Sequence, residues 1–318
     1  MKTALVFPGQ GSQSVGMGRA LADAFPASRE VFAEVDAALG EPLSRLIFEG
    51  PEAELTLTAN AQPALMAASM AALRALEMEA GLDVGRDATF VAGHSLGEYS
   101  ALCAAGSLSI ADAARLLRIR GQAMQKAAPA GEGAMAAILG LDFPEVSNIA
   151  LQAARELYLT GAICEAANDN GGGQVVISGT TAAVERAMAL AKAKGAKRAL
   201  LLPVSAPFHC SLMQPAAEAM AEALRGVAFH APKIPLVANV SASPLTDPRA
   251  IRESLVAQVT GTVRWRESIA YMAAEGVTRF VEIGAGKVLA GLVKRIAGGA
   301  SAISVGSPAD IEAFKADK

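Results

Sequence analysis

Thr89-Phe90-Val91-Ala92-Gly93-His94-Ser95-Leu96-Gly97-Glu98-Tyr99 sets a short apolar run against a helix-forming one, with a serine between two glycines. Residues 89–92 suit a buried strand, and 96–105 suit a helix with Gly106 placed to cap it. Gly93 and Gly97 lack the side chains that would collide in so sharp a strand-to-helix turn. Ser95 is left at its apex. Its hydroxyl then stands beside a helix N-terminus, where backbone N–H groups can receive a developing oxyanion. Gly-x-Ser-x-Gly is common by chance, but between a strand and a helix it points to a nucleophilic serine.

Outward from this turn, apolar β-type runs alternate with alanine-rich helical stretches, the pattern of a parallel α/β core. Strands are expected at 4–7, 89–92, 236–239 and 279–283. Residues 133–203 have their own rhythm: strand 134–139, helix 142–157, strands 162–167 and 174–178, helix 181–194 and strand 198–203. That order suits a small ferredoxin-like βαββαβ unit, with Gly171-Gly172-Gly173 as its central hairpin turn. The expected fold class is α/β: a hydrolase-like parallel-sheet domain of residues 1–128 and 207–318, interrupted by a ferredoxin-like subdomain at 129–206.

Bulk properties narrow the function classes. A chain of 318 residues, 52% hydrophobic and 19% charged, can bury a sizeable core. No window approaches the ~18 uninterrupted apolar residues of a membrane span. The first apolar run ends at Pro8, short of the ~7–15 residues of a signal-peptide core, so a cytoplasmic protein with no membrane partner is expected. A net charge of −3 argues against nucleic-acid binding. Cys103, Cys164 and Cys210 form no ligand pattern with the three histidines, so neither a disulfide framework nor a metal site is expected. Arg186, Lys192, Lys194, Lys197 and Arg198 face only Glu185 within their stretch. They read as a solvated face or as a dock for an acidic partner.

A serine hydroxyl needs an adjacent base. His94 neighbours Ser95 on the turn, where successive side chains diverge, and His230 in Val-Ala-Phe-His-Ala-Pro has no catalytic neighbours. His209 follows a strand and precedes the helix from about Leu212, where α/β domains place functional loops. It is the candidate base, the alternative being a hydrogen-bonded structural histidine. A carboxylate between 95 and 209 would complete a triad, but Asp112, Asp142, Glu165 and Asp169 lie in a helix cap or the inserted unit. A Ser–His dyad, with the other imidazole nitrogen on a carbonyl, fits better.

Ser109-Ile110-Ala111-Asp112 resembles a capping box, opening a helix to about Lys126. On it Ala113, Leu116, Leu117 and Met124 share an apolar face with Arg120 at its centre. An unpartnered buried guanidinium costs several kcal/mol, so an anion is expected opposite it. Either a protein carboxylate or a substrate carboxylate would serve. Two glycine turns invite nucleotide readings that fail: position 14 is Ser14 where a dinucleotide fingerprint needs glycine, and Gly284-Ala285-Gly286-Lys287-Val288 lacks phosphate-loop spacing. The first of these loops can instead offer an N–H to Ser95, joining that of Leu96 in an oxyanion hole.

Taken together, the chain resembles the malonyl-CoA:acyl-carrier-protein transacylases along essentially its whole length. The resemblance rests on Phe7-Pro8-Gly9-Gln10-Gly11-Ser12-Gln13, Gln62-Pro63-Ala64, Gly93-His94-Ser95-Leu96-Gly97-Glu98 and Arg120-Gly121 with Met124-Gln125. It continues through Gly133-Ala134-Met135, Gln174-Val175-Val176-Ile177-Ser178-Gly179, Pro203-Val204-Ser205-Ala206-Pro207-Phe208-His209-Cys210 and Glu282-Ile283-Gly284 with Gly286-Lys287-Val288-Leu289. It implies Ser95 as acylated nucleophile, His209 as base and an oxyanion hole from the N–H groups of Gln10 and Leu96. It also implies Arg120 on the malonyl carboxylate and the main-chain carbonyl of Gln258 orienting His209. Phe208 sits where the family varies and is expected to shape the acyl pocket. Residues 168–173 depart from the family pattern in being glycine-rich, and no asparagine there is assigned to the site. The implied substrates are malonyl-CoA and acyl carrier protein, with no cofactor, in fatty-acid synthesis by a monomer. A polyketide acyltransferase, a serine thioesterase and a non-catalytic carrier-docking module are the rivals.

Overall fold

Lys2-Thr3-Ala4-Leu5-Val6-Phe7 is apolar at four successive positions and forms β1 (Lys2–Phe7), central in a six-stranded sheet. The computed structural model describes residues 1–129, 131–204 and 206–317. Ser205 of the motif at 203–210 therefore lies outside the described residues, as do Ala130 and Lys318 of the expected domain spans. Residues 4–7 are wholly buried because parallel strands are covered on both faces. β2 (Phe90–Gly93) and β9 (Val277–Ile283) flank β1 in parallel, with β7 (Leu236–Val237) and β10 (Ser301–Val305) beyond them, also parallel. β8 (Pro244–Leu245) closes one edge antiparallel to β7, giving the order β10-β9-β1-β2-β7-β8.

A second sheet is wholly antiparallel: β3 (Gly133–Leu139), β4 (Cys164–Asp169), β5 (Gln174–Thr180) and β6 (Arg198–Leu201), in the order β4-β5-β3-β6. Helices Phe143–Glu156 and Thr181–Ala193 connect its strands in the βαββαβ sequence. Ile138, Val146, Ile149, Ile177 and Val184 form its own apolar core. The parallel core and the separate ferredoxin-like sheet are thus both present.

Particular elements end elsewhere than their composition suggests. The strand expected at 236–239 stops at Val237, because Ala238 turns onto Ser243 and Asn239 leaves the ladder to bond the turn at Ser95. The strand expected at 198–203 stops at Leu201. β10 carries no run as distinctive as its neighbours and is recruited by pairing with β9. The helix after Ser95 begins at Gly97 and ends at Ala104.

The sheets are joined along β4. Val263 N–H donates to Ala167 O (2.8 Å), Asp169 N–H to Val263 O (2.9 Å) and Arg266 Nε to the buried Asp169 carboxylate (2.8 Å). Between them lies a cavity of about 550 Å³, lined by Gln10, Ser95 and Arg120 from one side and by Met135, Asn170 and Val176 from the other. Helix Ile110–Ala127 crosses the alanine-rich helix Thr58–Ala80 at its floor. A Cβ at Gly121 would stand 2.6 Å from Thr58 O and Ala59 Cα, so glycine there sets how closely the two helices approach.

Candidate active site

Ser95 sits between β2 and helix Gly97–Ala104 with φ 52°. Two close approaches force that turn: a Cβ at Gly93 would lie 1.9 Å from Gly97 C, and one at Gly97 would lie 2.3 Å from Phe7 O. The side chain of Asn239 clamps it, accepting from Ser95 N–H (2.8 Å) and donating through Nδ2 to Gly93 O (2.8 Å). Of three non-glycine residues described with positive φ, two are Ser95 and His209 (φ 58°). Strain of this kind persists only where the surroundings over-determine it.

His209 Nε2 lies 2.7 Å from Ser95 Oγ. Its Nδ1 faces two main-chain carbonyls, Gln258 O at 2.9 Å and Gly261 O at 3.2 Å. Both can only accept, so Nδ1 carries the proton and Nε2 offers its lone pair to the serine. Burial pushes the imidazole down to about 3, with the charge of Arg120 adding to the effect and the two carbonyls opposing it. The imidazole is therefore held neutral, with its Nε2 against the Ser95 hydroxyl. No carboxylate completes a triad among the described residues. Asp112 accepts from Ser109 Oγ and pairs with Arg115, Asp142 caps a helix, Glu165 accepts from Ser211 and Asp169 is paired with Arg266.

Arg120 is 1% exposed, yet no carboxylate hydrogen-bonds it among the described residues. Nη1 donates to Gln62 Oε1 (2.7 Å); Nη2 donates to Gln258 Oε1 (2.9 Å) and to Ser95 Oγ (3.2 Å). Its Nε has no hydrogen-bond partner among the described residues, and its charge centre lies 6.0 Å from the Tyr99 ring. Burial lowers its pKa, opposed by Tyr99 and Glu98. Of the two anions left open by the sequence, the protein's own is absent from contact. What stands opposite the guanidinium is the cavity.

Gln10 follows β1 on a loop that Gly9 brings against His94; a Cβ at Gly9 would lie 2.6 Å from His94 O. Gln10 Oε1 accepts from Thr58 Oγ1 (2.7 Å), which anchors the loop. Gln10 and Leu96 both line the cavity, and neither backbone N–H has an acceptor among the described residues. Phe208 lines it too. His94 does not reach Ser95; its Nε2 bonds Asn170 Oδ1 at 2.9 Å, and burial lowers its pKa. His230 is on an exposed loop.

Besides Asn239 and Gln62, three further residues without a role in the sequence reading shape the site. Asn168 in β4 and Asn170 just beyond it, both buried, line the cavity beside the left-handed Gly171-Gly172-Gly173 turn that joins β4 to β5. Glu98 is fully buried behind Ser95, accepting from Asn239 N–H at 2.5 Å and from Gln258 Nε2. Burial raises its carboxyl, opposed by those donors and Arg120. Its signal in the sequence is its place at the end of the Gly93–Glu98 motif, on the helix that follows Ser95. The basic stretch is partly neutralised, Arg186 by Glu156 and Lys194 by Glu145, leaving Lys192, Lys197 and Arg198 exposed beside β6.

A family model described as an acyl transferase domain matches residues 4–307. The malonyl CoA-acyl carrier protein transacylase of Bacillus subtilis (strain 168) is 49% identical over 311 residues, covering 98% of this chain and 95% of its own. That of Escherichia coli (strain K12) is 48% identical over 310 residues, covering 98% and 97%. An acyl-carrier-protein-S-malonyltransferase structure from Bartonella henselae superposes with a TM-score of 0.95 at 59% identity, over 98% of each chain. A malonyl-transacylase solved in complex with its type II polyketide-synthase acyl-carrier protein gives a TM-score of 0.95 at 44% identity, over 100% of each chain.

Proposed function

The chain belongs to the acyl transferase family, among its malonyl CoA-acyl carrier protein transacylases, and from that membership we propose how its residues carry out the transfer. The enzyme moves a malonyl group from coenzyme A to the phosphopantetheine thiol of acyl carrier protein. The observation that carries the residue assignment is the convergence of His209 Nε2 and Arg120 Nη2 on one hydroxyl, that of Ser95.

His209 accepts the Ser95 proton as Oγ attacks the thioester carbonyl. The N–H groups of Gln10 and Leu96 hold the resulting oxyanion, each such donor being worth on the order of 3 kcal/mol. When the C–S bond breaks, the imidazolium returns its proton to the coenzyme A thiolate, and a malonyl-serine ester is left. The carrier thiol, deprotonated by His209, attacks that ester, and the proton passes back to Ser95 Oγ as the C–O bond breaks. Arg120 holds the free carboxylate of the malonyl group throughout. Acetyl thioesters would leave it unpaired, which is the basis of acyl selection.

Two domains, 1–128 with 207–318 and 129–206, frame this chemistry, and the reaction needs no metal or other cofactor. The pathway served is fatty-acid synthesis in the cytoplasm by a monomer. No helix among the described residues is long and apolar enough to cross a membrane. The test is acceptor choice. Purified protein given malonyl-CoA, then acyl carrier protein, should load the carrier far faster than it hydrolyses malonyl-CoA alone. Equal consumption with and without carrier would assign a thioesterase instead.

A further inference from the structure

Gln258 carries two separate connections. Its main-chain carbonyl takes the His209 proton, whereas its side-chain amide lies in a wholly buried network behind Ser95. The amide Nε2 donates to Ser95 O (2.9 Å) and to Glu98 Oε2, with Asn239 Oδ1 at 3.4 Å; Oε1 accepts from Arg120 Nη2. Turned end for end, the amide would set its oxygen against two acceptors and its NH₂ against the guanidinium. From this arrangement we infer that Glu98 is a positioning residue for acyl selection: it holds the Gln258 amide in the one orientation that offers an oxygen to Arg120.

Glu98 can do this because its other oxygen is committed. Asn239 N–H is a main-chain donor that cannot reverse, and it holds Oε1 at 2.5 Å. Oε2 is then left to face Gln258 as an acceptor. Both oxygens meet donors, a pattern only the ionised carboxylate satisfies; burial raises this carboxyl to about 8, so the relay is complete where Glu98 is ionised. The polarity is therefore relayed from Asn239 N–H through Glu98 and the Gln258 amide to the cation. It ends on the guanidinium that contacts Ser95 Oγ and faces the cavity. Gln62 Oε1 supplies the only other side-chain acceptor for Arg120 apart from Ser95 among the described residues. Losing the Gln258 oxygen thus frees half of the guanidinium's amide support.

The inference rests on the reading that Arg120 takes the malonyl carboxylate. Glu98→Gln tests it, because the substitution keeps shape and reverses one group. The glutamine oxygen stays on Asn239 N–H, so its NH₂ faces Gln258 and drives the amide to turn. The readout is acylation of the protein by malonyl-CoA and by acetyl-CoA, each with KM and the rate at saturation separated. E98Q should raise KM for malonyl-CoA by about tenfold, the effect of one charge-assisted hydrogen bond, and lower the malonyl-to-acetyl ratio accordingly. Gln258→Met, which retains the main-chain carbonyl on His209, should shift the ratio alike, and E98Q should add nothing in the Q258M background.

A malonyl KM that falls in E98Q would mean Glu98 acts only as a charge opposing the substrate carboxylate, and would overturn the inference. So would malonyl and acetyl rates that drop together. Should E98Q fail to fold, Q258M decides: an unchanged ratio there breaks the relay. Arg120→Ala run alongside separates the premise from the inference. A wild-type ratio in R120A removes the carboxylate site itself. A shifted ratio in R120A with an unshifted one in E98Q removes only the relay.

Discussion

Arg120→Ala is the substitution whose consequence the structure specifies most fully. The guanidinium is buried, makes three hydrogen bonds to neutral groups and lacks a carboxylate partner among the described residues. An incoming malonyl carboxylate would gain two charge-assisted bonds of ~1.5–3 kcal/mol each. Stripping water from that carboxylate returns part of the gain, leaving ~3 kcal/mol. At about 1.4 kcal/mol per tenfold, malonyl acylation should fall on the order of a hundredfold in kcat/KM. The acetyl group of acetyl-CoA carries no carboxylate, so its acylation should change far less. Fold stability should move little. Unpaired oxygens on Gln62 and Gln258 destabilise, while removal of a desolvated cation stabilises. Single-turnover mixing with each thioester, quenched and read by intact-protein mass, measures both rates. Equal losses for malonyl and acetyl would refute the reasoning.

Because burial and Arg120 together hold His209 far below an ordinary imidazole, malonyl kcat/KM should show no acid limb near pH 6.5 and decline only well below it; a midpoint at 6.5 would contradict this. Once the malonyl carboxylate offsets Arg120, protonation of His209 becomes easier, so the acid limb of the single-turnover acylation rate at saturation should lie above that of kcat/KM. Gly97→Ala would drive a Cβ into Phe7 O and open the nucleophile turn, lowering Tm and abolishing acylation together; a wild-type melt would show the turn to be more pliant. Reversing Lys192, Lys197 and Arg198 to acidic residues should raise KM for acyl carrier protein and leave that for malonyl-CoA unchanged; no change for the carrier returns the stretch to a solvated face.

What was legible in the sequence was local. Two glycines around Ser95 announce a turn that only glycines permit, and helical periodicity alone puts Arg120 on a buried face. His209 was found by eliminating two other histidines. The ferredoxin-like unit showed through because each of its strands and helices carries its own composition. The polar network was illegible for the opposite reason. The side chains of Glu98, Asn239 and Gln258 acquire meaning from distant partners, 141 residues apart for Asn239 and Glu98 and 160 for Gln258 and Glu98, and the sequence offered only the main-chain carbonyl of Gln258, through the resemblance. β7 ended early for the same cause: Val237 gives way to a residue wanted at the active site rather than in the ladder. Asn170 was hidden by its glycines, which serve the hairpin turn and say nothing of the side chain beside them.

The central claim is that one serine carries the acyl group between two thiols. Exposing the protein to malonyl-CoA with no carrier present, then mapping its peptides by mass, examines that directly. The account predicts a single malonyl ester per chain, located on Ser95, absent from Ser95→Ala and discharged when acyl carrier protein is added. A malonyl group retained by Ser95→Ala, or found on any other residue, would contradict it.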